Sequence, residues 1–448
     1  MTKNDAFLHL NDLLPADIAR RKEMGDLAGA IRLIDQRLAS HTQPLLAPRL
    51  EAERLRLTRL PHDYPYSRAE ALAMIQAEWP QCTEEQFDTL VDHGRIDWRM
   101  IDGELRCQER FLESLRIYPK EAPGLIQEPQ DHSARDAVLA RMEAEGALAA
   151  RITLRATIRS LAPVTGQEVQ AWLPIPAACP QQSQIQILDH TPGGIAAPEC
   201  APQRTMWWRT QGVDTFSVTY RYLIRAQYTD PMTLPLDPVQ PTFDLEEQAP
   251  HIVFTPYLRA LAKDICRGCS TPAEKARAIY DYVTGQVDYR YQPAYLQLDC
   301  IADQCAKTLR GDCGVFALLF ITLCRISGIP ARWQSGLAVR PDSVSPHDWA
   351  MFYLAPHGWL WADCSFGSSA RRNGETERRR HYFGSLDPWR MVANSAFQAS
   401  LTPPVQDWRQ DPYDNQVGEV MVGGRGLDAS ERETSQDLLE FELLPGET

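Results

Sequence analysis

Three residue types that can together activate a thiol stand in the second half of this chain: Cys313, His347 and Asp363. The cysteine lies in Gly311-Asp312-Cys313-Gly314, at the head of a run, Val315 to Cys324, that is apolar except for Thr322. Gly328 and Pro330 close the run, as a left-handed cap and a residue that cannot continue a helix. The pattern predicts a helix without a water-facing stripe, crossing the centre of a domain with Cys313 at or just before its first turn. Unpaired backbone N–H groups at a helix start favour a thiolate. The effect is small, about 0.3–1 kcal/mol, against about 1.4 kcal/mol for one pKa unit. Asp312 opposes even that. A nucleophilic cysteine at this position needs a histidine base, and the histidine needs a group that orients it. Without them Cys313 is a small buried hydrophobe capping a core helix.

The segment from His347, H-D-W-A-M-F-Y-L, reads as a strand, and W-L-W-A-D-C-S from Trp359 as its return across a turn at Pro356-His357-Gly358. Side chains alternate faces, so register decides whether His347 can meet Asp363. The two share a face only if paired residue numbers sum to an even value, as with His347 opposite Asp363. A loop of about five residues, Tyr353 to His357, gives that parity. Cys364 would then point to the other face and be buried.

These segments together, with Gly328-Ile329-Pro330-Ala331-Arg332, His347-Asp348-Trp349 and Trp361-Ala362-Asp363, resemble the transglutaminase-like superfamily. His381-Tyr382-Phe383-Gly384 and Asp387-Pro388 resemble its bacterial members. The resemblance runs from near Leu245 to Asn394. It implies a nucleophile at Cys313, a general base and acid at His347 and an orienting carboxylate at Asp363. It also implies an upstream side chain that helps the Cys313 N–H hold an oxyanion. Gln292, Tyr289, Tyr291 and Gln304 are the candidates. The implied reaction is thiol acyl chemistry on an amide or peptide carbonyl through a thioester. The alternatives are a peptidase or amidase without transferase activity, and a non-catalytic protein-binding module.

At 448 residues the chain is long enough for several domains, and 44% hydrophobic residues suffice for real cores. A net charge of −13 without a basic tract argues against nucleic acid and anionic membranes as partners. A protein or peptide substrate is the expected partner; the oligomeric state is open. No apolar run has signal-peptide or membrane-span length, so a cytoplasmic location is expected. Eleven scattered cysteines suit reduced thiols. Cys266-Arg267-Gly268-Cys269 is a lone pair without a zinc-ribbon partner, and no metal or cofactor is expected.

The expected fold class is α+β and multidomain. Residues 1–132 read as a helical N-terminal region. Ser67 with Glu70 and Thr83 with Gln86 form capping boxes, and Asp102-Gly103 turns a small hairpin. A winged-helix DNA reader is the alternative there, but no predicted recognition helix carries a basic patch. Glu121 to His132 reads as a linker. Residues 133–230 have period-two strands at Ile152–Ile158, Val169–Leu173, Ile185–Leu188 and Phe216–Tyr228, a small antiparallel β domain. Residues 231–250 form a Pro-rich connector. Residues 251–402 form the catalytic domain, with a capped helix from Thr271, and 403–448 an acidic tail with one further element around Leu438–Leu444.

Overall fold

The computed structural model describes residues 2–40, 43–125 and 132–446. The apolar run forms the helix Cys313–Ile326, in which Gly314 through Cys324 are all buried. It ends as the sequence requires, with Gly328 at φ 79°. Helices Pro256–Ile265, Pro272–Gln286 and Ile301–Thr308 pack around it. Its remaining side meets an antiparallel sheet ordered Phe383–Gly384, Gly358–Ala362, Ser343–Leu354, Ala331–Arg340, Arg390–Asn394. Ala331, Trp333, Ala350, Phe352 and Leu354 of this sheet share the helix's core.

The hairpin parity is as expected, but its register is not. Leu354 pairs with Gly358 and Ala350 with Ala362, an even sum. The loop is shorter than expected, Ala355 to His357, and the returning strand ends at Ala362. Asp363 is therefore not a strand residue opposite His347. It is the N-cap of the helix Cys364–Arg372 and accepts from Phe366 N at 2.9 Å. Capping appeals to a short carboxylate more than strand pairing does, and a three-residue loop closes the hairpin one step earlier.

Behind the sheet lie two antiparallel sheets. One runs Arg425–Gly426, Glu419–Val422, Glu168–Pro174, Thr205–Gln211, Ile195–Ala196. The other runs Arg432–Pro445, Ala147–Ser160, Thr215–Gln227, Gln182–His190. Ile152, Val169, Trp208 and Tyr220 between them form one core with Trp349 and Met391 of the first sheet. The C-terminal segment is thus not a separate tail. Arg432–Pro445 pairs along almost the full length of Ala147–Ser160. Its charges mark an edge strand with much of its surface in water, a pattern easily mistaken for a solvated tail.

The N-terminal helices are Ala16–Glu23, Leu27–Ser40 and Ala47–Asp63, with a break at Gly25 (φ 76°). Both expected capping boxes form, at Ser67 and Thr83. Asp102 and Gly103 have positive φ at the hairpin turn. The first part of the expected linker belongs to a core: Ala122 and Leu125 are buried in this region, and 126–131 lie outside the described residues. Glu53, Arg49 and Arg56 form a buried ion cluster, and Arg56 reaches Asp299, fixing the helices to the central domain.

Candidate active site

Cys313 opens the central helix and lines a cavity of about 530 Å³ that His347 also lines. The preceding Asp312 is the helix N-cap, its Oδ1 accepting from Val315 N at 3.3 Å and from the Tyr295 hydroxyl at 2.5 Å. Gly314 follows because space is short. A Cβ there would fall 2.1 Å from the Tyr295 hydroxyl and 2.9 Å from Asp348 Oδ2.

His347 and Asp348 are neighbours on an extended strand, so their side chains point to opposite faces. Asp348 shares the face of Ala350 and Phe352, toward the helix. Its Oδ2 accepts from the Cys313 thiol at 3.2 Å. His347 shares the face of Trp349 and stacks on Phe366 with ring centroids 4.3 Å apart. The returning strand stops opposite Ala350, which leaves this edge open and lets the imidazole border the cavity. No hydrogen bond joins Cys313 to His347 among the described residues. The expected direct thiol–imidazole link is therefore replaced, in this arrangement, by a thiol–carboxyl link.

The imidazole is held from its far side. His347 Nε2 meets Asp363 Oδ2 at 2.7 Å. Arg390 approaches the same oxygen at 2.8 Å, while Ser365 donates to Asp363 Oδ1 at 3.1 Å. Asp363 is fully buried. Burial opposes its ionisation, but His347 and Arg390 outweigh that and hold it below the usual carboxylate range. Burial lowers the His347 pKa despite the pull of Asp363, so the ring rests neutral. A neutral ring tied through Nε2 leaves Nδ1 to exchange a proton, and Nδ1 has no partner among the described residues.

The opposite wall is acidic. Burial pushes the Asp312 carboxyl up to about 6, and burial with Asp414 pushes Asp411 up to about 7. Burial, Asp414 and Asp312 together raise Asp348 well above its usual value. Gln416 donates to Asp348 Oδ1 and, at 3.1 Å, to the His347 carbonyl. Burial, followed by Asp348 and Asp312, raises the Cys313 thiol. This resting thiol is protonated.

Of the oxyanion candidates, Tyr289, Tyr291 and Gln292 line the cavity and Gln304 does not. Gln304 sits on the helix Ile301–Thr308, away from the opening. The Gln292 amide donates to the Arg290 carbonyl at 2.8 Å. The Tyr291 ring lies under Arg110, with the guanidinium 3.5 Å from its centroid. Tyr289 is half-buried near Cys313 and Asp312, whose charges add to desolvation in raising its pKa. Asp348, Tyr295, Arg390, Asp411, Asp414 and Gln416 were not foreseen. Asp348 had a signal, being the residue beside His347 whose alternation points it at the helix. Gln416 and the two late aspartates sit in a stretch without periodicity.

Residues 259–364 match the family described as the transglutaminase-like superfamily. This segment of the chain is thus a transglutaminase-like domain, and it contains Cys313, His347 and Asp363. No curated protein matches the chain. Among solved structures, a candidate cysteine protease from Cytophaga hutchinsonii is 16% identical, with 67% of this chain and 93% of that one covered and a TM-score of 0.42. The periplasmic domain of TgpA from Pseudomonas aeruginosa is 15% identical, with 54% and 96% covered and a TM-score of 0.29. A candidate protease from Parabacteroides distasonis is 10% identical, with 62% and 47% covered and a TM-score of 0.22.

Proposed function

We propose that the protein is a cysteine-dependent enzyme acting on the carbonyl of an amide or peptide. Cys313 is the nucleophile, His347 the general base and acid, and Asp363 the group that orients His347. The observation that carries this reading is the 2.7 Å contact between His347 Nε2 and Asp363 Oδ2, beside a cavity that Cys313 also lines. A substrate carbonyl entering the cavity draws the thiol away from Asp348. His347 Nδ1 takes the thiol proton, and the sulfur forms its bond to the carbonyl carbon. The Cys313 N–H at the helix start, with a tyrosine or Gln292, holds the oxyanion. His347 then returns the proton to the departing amine, leaving a thioester. An amine or water, deprotonated by the same ring, resolves it.

Transferase and hydrolase readings part at that last step. Incubation with a glutamine-bearing protein and a fluorescent primary amine tests the first through incorporated fluorescence. Ammonia or peptide release without added amine tests the second. Activity in either assay that survives Cys313→Ser defeats the proposal.

A further inference from the structure

The cavity carries more positive charge than the proposed chemistry uses. Arg340, at the end of the strand Ala331–Arg340, and Arg372, at the end of the helix that Asp363 caps, both line it. Neither has an ion pair among the described residues. Arg340 Nε is buried and makes no hydrogen bond. Among the described residues Arg372 donates only to the Ser368 hydroxyl, at 3.5 Å, and lies over the Tyr118 ring at 5.6 Å. Two more wall residues, Arg135 and Arg378, share the carboxylate of Glu375 with His132. Arg378 is only 4% exposed, and its Nε also lacks an acceptor.

Arginine stays protonated in proteins, and its fork matches the geometry of carboxylate and phosphate oxygens. The acidic wall around Cys313 cancels this charge only in part. Asp312 and Asp411 are raised toward neutral pH by burial, and Asp348 and Asp414 are raised as well. A ligand with only neutral groups would leave the two guanidinium groups unpaired and partly stripped of water.

We propose that Arg340 and Arg372, supported by Arg378, form an oxyanion-recognition subsite that holds a carboxylate or phosphate group of the substrate. The inference rests on the thiol-enzyme reading for its substrate, but not for the anion site itself. It selects acidic acyl donors over neutral ones of the same length.

Two measurements separate the subsite from the chemistry. The first is thermal unfolding of the full chain with glutarate, inorganic phosphate or neutral glutaramide at matched ionic strength. The wild type should be stabilised by one or both anions and not by glutaramide. Which anion acts identifies the source. In Arg340→Gln/Arg372→Gln the anion effect should vanish, and in the double lysine variant it should partly return. An equal effect in the glutamine variant, or no anion-specific effect in the wild type, overturns the subsite. The second is alkylation of Cys313 by maleimidoalkyl carboxylates of increasing length and by the matching amides. At one length the carboxylate should react about tenfold faster than the amide, and the glutamine variant should lose that preference. Equal rates at every length in the wild type overturn the subsite while leaving thiol chemistry intact. A Cys313 inert to both reagents, beside an arginine-dependent anion effect, instead removes the thiol chemistry and keeps the subsite.

Discussion

The Cys313 thiol donates to Asp348 Oδ2 at 3.2 Å, so its hydrogen-bond acceptor is the residue after His347 and not His347 itself. Strand alternation produces this: one residue of the pair points at the helix start, and the other orders itself against Asp363. The resting sulfur is consequently held against a carboxyl group, and the proposed mechanism requires a ligand that displaces it.

Asp348→Asn keeps an acceptor beside the thiol but removes the carboxyl whose ionised form raises the thiol pKa. The Cys313 pKa should fall, and its reaction with N-ethylmaleimide at pH 7 should accelerate, about tenfold if the pKa drops by one. The rate–pH profile is the measurement. A midpoint that does not move contradicts the assigned role of Asp348.

Arg390 is 0% exposed and lies between Asp363 and Asp387, at 2.8 Å and 2.7 Å. Arg390→Ala leaves two buried carboxylates without their counter-charge and should cost about 3–5 kcal/mol in urea unfolding. Both carboxyls are held below their usual range in the fold. Their contribution to stability is therefore present above the ordinary carboxylate pKa and lost as pH falls through the lowered values. Acid unfolding of Arg390→Ala should begin at a higher pH than in the wild type.

Asp312 and Asp411 work in the opposite sense, since their folded pKa values are raised to about 6 and about 7. Stability tied to them is fully present below the ordinary aspartate pKa, about 3.9. It is lost as pH rises through about 6 and about 7. The melting temperature of Asp411→Asn should change less between pH 5 and pH 8 than that of the wild type. Parallel profiles for the two proteins count against the burial argument.

Removing residues from Arg432 onward would expose the edge of Ala147–Ser160 and the buried Ile152 and Ile158 beneath. An unpaired edge of that length templates aggregation. The truncated chain should elute as aggregate in size-exclusion chromatography. A well-folded truncated chain of unchanged oligomeric state would show that this strand is dispensable.

The central helix, its glycine stop and the parity of the hairpin could be read from sequence because each rests on local chemistry. The capping boxes at Ser67, Thr83 and Thr271 were equally visible. Hydrophobic alternation through Trp359 and Trp361 extends the strand reading to Asp363. Only the chain's turn into the next helix shows it as a cap. Residues 403–416 resist reading for another reason. Asp411, Asp414 and Gln416 reach the cavity from loops with little regular structure, held by contacts such as Asp414 with Ser335 and Asn394. Those contacts join residues far apart in the chain, and no spacing rule encodes them.

Capture of the acyl-enzyme tests the central claim most directly. The protein is mixed with an excess of a p-nitrophenyl acyl ester, quenched in acid, and its intact mass and peptide map are recorded. The account predicts one acyl group on Cys313 in the wild type, none at that position in Cys313→Ser, and much slower accumulation in His347→Ala. An unmodified Cys313, or one acylated equally fast without His347, would contradict it.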